Sequence, residues 1–314
     1  MTMVKKKKKK NKQNLGWLFV SPWVFGFVTL TVIPLAVSFY LSFHDWNMFS
    51  DPVFVGLKNY QLLFDKTSIY GDAFYASLSN TLIYVCFAAC VNFFIGILVA
   101  WSIFKPSKHN TVLRTIIYMP TMVISFAFSM MMDPIFSSNE FALINQIRLA
   151  MGLDLQNWLA TRGQGIWVLC MLCFWGVGGA MMTYVSGMKN IDKSVYEAAK
   201  IDGANNPQLL TRICLPLLSP MIVYQIIMTL VAGLQTFDSV MGLSTLCGGN
   251  GTSNMGSDNS LATLVFYLYN LGFKDFKMGM ASALGWITFA ITAVFGAALL
   301  IFVQKTGYYS IDGD

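Results

Sequence analysis

The sequence predicts an all-α membrane protein with six transmembrane helices and both termini in the cytoplasm. Of its 314 residues, 55% are hydrophobic and only 11% are charged, whereas soluble domains carry about a quarter charged residues. The apolar residues form long uncharged runs, which are typical of helices that satisfy their own backbone hydrogen bonds in lipid. The uneven distribution of Lys and Arg between the connecting loops indicates the orientation.

Each predicted helix lies in an uncharged run that can hold the roughly 20 apolar residues needed to cross a bilayer. The runs are 13–44, 73–104, 115–132, 163–188, 213–237 and 278–304. We therefore expect one membrane domain at 15–304, between a basic cytoplasmic tail at 1–14 and a cytoplasmic tail at 305–314.

With the N-terminus inside, 15 of the 21 Lys and Arg residues fall on the cytoplasmic side. The positive-inside rule favours this orientation, and we expect a multi-pass protein of the cytoplasmic membrane. A cleaved signal peptide is the alternative for the first run, but that run is about twice the length of a signal core of 7 to 15 residues. The run from Lys5 to Lys10 is expected to anchor the topology rather than to bind nucleic acid.

Two further segments are expected outside the bilayer. Residues 139–159 mix charged residues with Phe141, Ile144, Ile147 and Trp158, which predicts an amphipathic helix on the external face. Residues 259–273 are apolar but short, which predicts a surface helix or a re-entrant element.

The cysteines and histidines indicate neither a redox centre nor a metal site. Cys170 and Cys173 have the spacing of a redox pair but lie inside an apolar run, so we expect ordinary core cysteines. His44 and His109 are the only histidines, and no cluster has metal-ligand spacing.

The predicted cytoplasmic loop at 189–216 carries the most specific pattern. Ser194 and Glu197 have the spacing of a capping box, Gly203 suits the left-handed position after a helix, and Asn206-Pro207 can open a second helix. The loop is thus expected to form a helix-turn-helix whose paired alanines, Ala198 and Ala199, leave a flat face for another protein. A connecting helix without a partner, in which Glu197 serves only the cap, is the alternative.

The same loop resembles the EAA loop of permeases from binding-protein-dependent ABC sugar importers. The shared pattern is Glu197-Ala198-Ala199, then Gly203, then Ile213-x-Leu215-Pro216. In that family the loop docks into a cytoplasmic ATPase, so the resemblance implies an ATPase contact. The residues that it assigns to this contact are Glu197, Ala198, Ala199, Asp202 and Gly203.

The resemblance covers nearly the whole chain and is closest to the first permease of maltose-type importers. Ser42-Phe43-x-Asp45-Trp46, Asn145, Trp158-Leu159 and Gly279-x-Ala281-x-Ala283 match family segments. The segment 247–258 departs from the family, since Asn250 replaces a proline after Gly248-Gly249. The fold implied is that of a type I ABC importer permease.

The resemblance also implies partners and a substrate site. The chain has no Gly-x-x-x-x-Gly-Lys-[Ser/Thr] loop for ATP phosphates, so ATP and Mg are expected on a partner ATPase and no cofactor on this chain. The expected partners are a second, different permease, two ATPase subunits or domains, an extracytoplasmic sugar-binding protein and membrane lipid. The residues that align with the family's substrate contacts are Trp175, Gly176, Val177 and Ala180 in span four and Gln235, Phe237, Asp238 and Ser239 in span five.

The absence of Lys and Arg between Arg212 and Lys274 favours a neutral sugar or oligosaccharide, because a sugar phosphate would need cationic groups. Asp238 could bond sugar hydroxyls or simply end a helix at the interface. Gly178 and Gly179 could serve close helix packing, and Asn80, Asn92, Gln225 and Trp286 are expected mainly as interhelical contacts. The alternatives are a permease for a polyol or glycerol phosphate, a secondary transporter or channel, and, least favoured, an intramembrane enzyme.

Overall fold

A computed structural model describes residues 19–159, 163–246, 255 and 259–305. The predicted basic tail at 1–14, the pair Gly248-Gly249 and the tail beyond residue 305 lie outside these residues. In chain order the helices are α1 (Phe19–Leu41), α2 (Lys58–Phe64), α3 (Ile69–Ile103), α4 (Lys108–Tyr118), α5 (Ser125–Met130), α6 (Asp133–Phe136), α7 (Leu143–Ala150), α8 (Gly165–Leu172), α9 (Val177–Asn190), α10 (Lys193–Ile201), α11 (Asn206–Leu234), α12 (Asp238–Leu246), α13 (Leu264–Tyr269) and α14 (Met278–Lys305). A two-stranded antiparallel hairpin, β1 (His44–Asp45) and β2 (Val53–Phe54), follows α1.

Within the described residues, five helical segments are long and apolar enough to cross a membrane. They are α1, α3, the consecutive helices α8 and α9, α11, and α14. The bent pair Lys108–Met122 and Ser125–Phe136, whose axes differ by 87°, makes a sixth span when it is counted as one. On that count the six predicted spans are present, and the third is broken rather than continuous.

The break in the third span has a local cause. After α4 the chain tightens into a 3₁₀ turn, Met119–Met122, that contains Pro120, and proline offers no N–H to continue a helix. Val123 and Ile124 then adopt extended backbone angles before α5 begins. This bend brings the end of α4 and the start of α5 to the same place in the bundle.

The centre of the bundle is α3, against which α9 and α11 pack along their lengths. Its 35 residues span about 50 Å, which exceeds the roughly 30 Å hydrocarbon core. Gly96 lets α9 approach closely, since a Cβ there would lie 3.1 Å from the Tyr184 ring and 3.3 Å from Ala180. Tyr184 and Ala180 are both buried in the resulting apolar cluster.

By contrast, α1 lies at the periphery. None of the residues in its apolar window is buried inside the chain, and its packing is against α14, with the Phe39 and Trp286 rings 4.8 Å apart in an edge-on arrangement. Most of α1 therefore faces lipid or another subunit. Trp286 is thus a packing residue, as expected.

Of the two alternatives predicted for 259–273, a surface helix or a re-entrant element, the surface helix is wrong. Leu264, Phe266, Tyr267 and Leu271 are almost fully buried, and α13 packs between α3 and α14. The segment is buried because α3 supplies partners for its backbone: Asn80 Nδ2 donates to the carbonyls of Asn259 and Ala262, both at 3.0 Å. Asn80 therefore holds two elements together, as predicted for an interhelical contact.

The predicted amphipathic helix at 139–159 is confirmed over a shorter range, α7. Asn145 is fully buried and its Nδ2 donates to the carbonyls of Ser137, Asn139 and Gln156, at 3.1 to 3.2 Å. This one side chain fixes the loops on both sides of the helix. Phe141 and Ile147 remain exposed.

Pro216 and Pro220 lie inside α11. The helix begins at Asn206, and a π-helical stretch, Leu209–Cys214, precedes Pro216. The Leu215 N–H donates five residues back, to the Leu210 carbonyl. A wider turn moves carbonyls away from a following proline ring, which would otherwise clash four residues back.

Gly178 and Gly179, which could serve close helix packing, have different surroundings on α9. The difference allows the packing of α9 against α4 to be tested. A Cβ at Gly178 would lie 2.6 Å from the Ile117 carbonyl oxygen and 3.0 Å from Thr121 Cγ2, whereas a Cβ at Gly179 would meet nothing within 4 Å. We expect Gly178→Ala to lower stability by about 1–3 kcal/mol through overpacking. Gly179→Ala is the matched control and should leave the thermal unfolding temperature in detergent unchanged; equal unfolding temperatures for both variants would contradict the packing.

Candidate functional site

Three interruptions of the membrane helices meet around one cavity. They are the bend between α4 and α5, the turn between α8 and α9, and the turn between α11 and α12. The cavity has a volume of about 420 Å³. Its lining is Tyr84, Ala88, Asn92, Pro120, Thr121, Val123, Ser125, Phe128, Leu172, Cys173, Trp175, Gly176, Gln225, Met228, Thr229, Ala232, Gly233, Thr236 and Ser239. Broken helices at membrane depth are tolerated where they line such a cavity.

One wall of the cavity is polar and is built by α3 and α11. The Thr229 hydroxyl accepts hydrogen bonds from Asn92 Nδ2 at 3.2 Å and from Gln225 Nε2 at 3.5 Å. The Tyr84 hydroxyl is hydrogen bonded to the side chains of Thr236 and Cys173. Amide and hydroxyl groups are thereby held at defined positions along this wall.

Another part of the wall is aromatic. Trp175 stacks on Phe128 with ring centroids 4.4 Å apart and planes inclined by 22°. The Trp175 side chain is 48% exposed, so part of its ring is free to meet a ligand. Because Trp175 lies in the turn between α8 and α9 and Phe128 in α5, the stack also joins two of the three helix interruptions.

The described residues that line the cavity include no Asp, Glu, Lys, Arg or His. Ligand sites combine an apolar surface with a few placed polar groups. This cavity suits an uncharged ligand that has hydroxyl groups on its edges and an apolar face.

The structure brings some of the predicted substrate residues to the cavity and not others. Trp175, Gly176 and Ser239 line it. Val177 and Ala180 are buried in packing on α9, and the Phe237 ring lies against Phe266 and Tyr269, at 6.2 and 5.2 Å. The two remaining candidates, Gln235 and Asp238, are exposed and absent from the lining.

Asp238 is the first residue of α12. A carboxylate at this end of a helix is stabilised by the helix dipole. Its position therefore agrees with the alternative that it lies at a helix end. Phe237 is explained by packing against Phe266 and Tyr269, and Asp238 by the helix dipole.

The polar wall contains the residues that sequence reasoning undervalued. Asn92 and Gln225 were expected as interhelical contacts, while Tyr84, Thr229 and Thr236 were not considered. A helical period would have found them: residues 84, 88 and 92 are spaced by four on α3. Gln225, Thr229 and Thr236 likewise share a face at the end of span five.

The predicted helix-turn-helix at 189–216 is present as α10 and the start of α11. The predicted capping box at Ser194 and Glu197 is wrong, however, because the N-cap of α10 lies two residues earlier. Asp192 is the cap, and its Oδ1 accepts from the Ser194 N–H at 3.0 Å. This hydrogen bond holds the pKa of Asp192 below its ordinary value.

The end of α10 forms the expected glycine stop. Gly203 has φ +84°, its N–H donates to the Lys200 carbonyl at 3.1 Å, and the Ala204 N–H donates to the Ala199 carbonyl at 2.9 Å. These two bonds define a Schellman motif. A capping box then starts α11, since the Asn205 and Gln208 side chains each accept from the other's backbone N–H, at 3.0 and 2.9 Å.

The paired alanines of α10 differ in exposure. Ala199 is buried at 8% exposure, on the side where the Tyr196 hydroxyl donates to the Met188 carbonyl at 3.4 Å. Ala198 is exposed, and Ile201, which sequence reasoning did not single out, is 86% exposed. The expected flat face of paired alanines is therefore wrong at Ala199, because that residue packs inside this chain.

Comparison with known protein families identifies the family of this chain. The model of the family "Binding-protein-dependent transport system inner membrane component" matches residues 92–308, which include the polar wall apart from Tyr84, α10 and the Schellman turn. The chain belongs to this family. It is therefore a transport permease and an integral membrane protein.

Curated relatives support the same assignment over the full length. The permease is 31% identical to the probable ABC transporter permease protein YesP of Bacillus subtilis, over 98% of this chain and 95% of that protein. It is 29% identical to the arabinooligosaccharides transport system permease protein AraP of the same organism, over 96% and 92%.

A solved structure shows the same fold. A chain of a bacterial alginate ABC transporter, in complex with an alginate pentasaccharide-bound periplasmic protein, matches with a TM-score of 0.75 at 20% identity. The match covers 95% of the permease and 97% of that chain. The predicted importer-permease fold is thereby confirmed.

The Schellman turn of the permease can be tested at Gly203. A β-branched residue in a left-handed backbone conformation costs about 1–3 kcal/mol, so Gly203→Val should loosen the link between α10 and α11 and reduce transport severalfold without preventing membrane insertion. Transport and membrane-inserted yield would be measured together. Gly26→Val is the control, since Gly26 has an ordinary φ and open space around its Cα; unchanged transport by Gly203→Val would contradict a role for this turn.

Proposed function

We propose that this permease is one of two membrane subunits of an ATP-driven importer for a neutral sugar or oligosaccharide. The observation that carries the proposal is the uncharged cavity, whose lining combines hydroxyl and amide groups of α3 and α11 with the Trp175–Phe128 stack. Sugars present hydroxyl edges and apolar ring faces, and this wall composition complements both.

The names of the relatives support a carbohydrate substrate. AraP carries the name of an arabinooligosaccharide system, and similar proteins carry those of a diacetylchitobiose system in Streptomyces coelicolor and a lactose system in Rhizobium radiobacter. A glycerol phosphate or another anionic solute fits less well, because the described lining offers no cation to pair with a phosphate.

Import would proceed by alternating access. The capped helix α10 would be held by a cytoplasmic ATPase, and closure of the ATPase dimer would move α10 together with α11. Since α11 carries Gln225 and Thr229 and the turn directly after it carries Thr236, a movement of this helix also moves the polar wall of the cavity. Packed helices switch between discrete arrangements, so the motion opens the cavity first to one side and then to the other.

The remaining components follow from this division of labour. ATP and Mg would be bound by two ATPase subunits or domains, and this chain would carry no catalytic residue. A second, different permease would complete the pathway, and an extracytoplasmic binding protein would deliver the sugar. We place both termini and α10 in the cytoplasm, with 1–14 and 305–314 as tails and 189–216 as the coupling loop.

The proposal is tested by purifying the permease with the subunits that co-purify and reconstituting the complex in vesicles. Uptake of labelled disaccharides and oligosaccharides should require both ATP and the ATPase subunits. Uptake driven by an ion gradient without ATP would instead identify a secondary transporter. Preference for glycerol phosphate over every neutral sugar would overturn the substrate assignment.

The aromatic wall gives a specific prediction for substrate affinity. Trp175→Ala removes the ring face and should raise the KM of sugar uptake about threefold to tenfold, whereas Trp175→Phe should restore most of the affinity. Asp238→Asn is the control, because Asp238 does not line the cavity, and its KM should be unchanged. A larger effect of Asp238→Asn than of Trp175→Ala would place the substrate elsewhere.

The outward face of α10 gives a second prediction. Ile201 is an exposed apolar side chain at the end of the helix, and burying it in a partner's cleft would stabilise docking. Ile201→Glu should greatly reduce the amount of ATPase that co-purifies with the permease. Thr111→Glu adds the same charge at an exposed position on α4 and should have no effect; retention of the ATPase by Ile201→Glu would contradict docking on this face.

A further inference from the structure

A second cavity, also of about 420 Å³, lies between the bundle and α10, at the ends of α3 and α9. Its floor is apolar and is formed mainly by Trp101, Phe104, Met188, Ile191 and Leu209. The Trp101 and Phe104 rings are stacked with centroids 4.9 Å apart. Aromatic side chains at helix ends mark the boundary between hydrocarbon and water, so the floor lies where lipid headgroups begin.

Four lysines line the same cavity, and we call the feature the lysine-rimmed groove. They are Lys105, Lys189, Lys193 and Lys200. Glu197 is the one carboxylate among the lining residues, which leaves three net positive charges around an apolar floor. All four lysines are exposed, so their ammonium groups are available to an anion.

The groove shares only Glu197 with the residues assigned to the ATPase contact. Lys193, Tyr196, Glu197 and Lys200 line the groove, and their spacing of three and four residues places them on one side of a helix. Val195 and Ala198 fall on the other side, Ile201 lies at the edge beside Glu197, and all three are exposed. Since neither Ala198 nor Ile201 lines the groove, an occupant of the groove leaves these two side chains accessible to an ATPase.

From this arrangement we propose that the lysine-rimmed groove binds an anionic phospholipid of the cytoplasmic leaflet. The phosphate lies among the lysines, and the upper part of an acyl chain lies against Trp101 and Phe104. Basic pockets between helices on the cytoplasmic side of a membrane bind anionic headgroups in this way. The inference rests on the cytoplasmic placement of α10 under the proposed function.

Such a lipid would brace α10 against the bundle. Tyr196 attaches α10 to the bundle, since its ring lies 5.8 Å from that of Phe104 and its hydroxyl donates to the Met188 carbonyl at 3.4 Å. A lipid beside this contact joins the end of α3 to α10. Occupancy should therefore strengthen the coupling between ATP hydrolysis and sugar movement.

The test measures lipid retention by native mass spectrometry of the complex from nanodiscs of phosphatidylcholine and phosphatidylglycerol in equal parts. The wild-type complex should retain phosphatidylglycerol in preference to phosphatidylcholine. The triple substitution Lys189→Gln, Lys193→Gln and Lys200→Gln should reduce that retention at least about tenfold. Lys108→Gln, a lysine on the same predicted side that does not line the groove, should change it little.

A second measurement works on the wild-type complex alone. Phosphatidylglycerol with a photoreactive group near the top of its acyl chain should label Trp101, Phe104 or Met188, and soluble glycerol phosphate in excess should not prevent this. Labelling confined to α1 or α14, equal retention by the triple variant and the wild type, or cross-linking of the groove to an ATPase segment would overturn the proposal. In each of these cases ATP-dependent sugar uptake would still stand, so failure of the lipid site is distinguishable from failure of the transport function.

Discussion

Every backbone N–H and C=O inside a bilayer must find a partner within the protein, since lipid offers none. This requirement explains where the helices of the permease break and what lies beside each break. At the start of α13, the Leu264 N–H donates to the Thr81 hydroxyl at 3.0 Å, and Asn80 serves two carbonyls just before it. At the end of α11, the Thr236 carbonyl accepts from the Thr263 hydroxyl at 3.0 Å.

The same need to pair backbone groups explains how the cavity is built into the fold. The three interruptions that surround the cavity free backbone groups and redirect side chains, which gives a sugar-sized space its polar edges without any charged residue. The cost of breaking helices is offset by small polar side chains on their neighbours, chiefly those of α3. Thus α3 is both the centre of the packing and the source of the partners that let other helices end inside the membrane.

The spans and the helix-turn-helix at 189–216 could be predicted because they depend on local properties of the chain. The length of uncharged runs, the glycine at 203 and the Asn206-Pro207 start are each readable from a few neighbouring residues. The polar wall of the cavity could not be predicted with the same certainty, since Asn92 and Thr229 meet only once α3 and α11 are packed. Whether Phe237 faced the cavity or α13 was likewise decided by tertiary packing, and so was the direction of each alanine in α10.

The π-helical stretch at Leu209–Cys214 affects the orientation of α10 relative to the membrane helices. The hydrogen bond from Leu215 to Leu210 encloses one residue more than the corresponding α-helical bond would. Each residue of an α-helix corresponds to a rotation of about 100°. If this stretch changed to a regular α-helix, α10 would rotate about the axis of α11. The membrane contacts of the residues after the stretch would not change. The orientation of α10 relative to the membrane part of α11 is thus set by the geometry of this one helical turn. The residues that line the cavity are not involved.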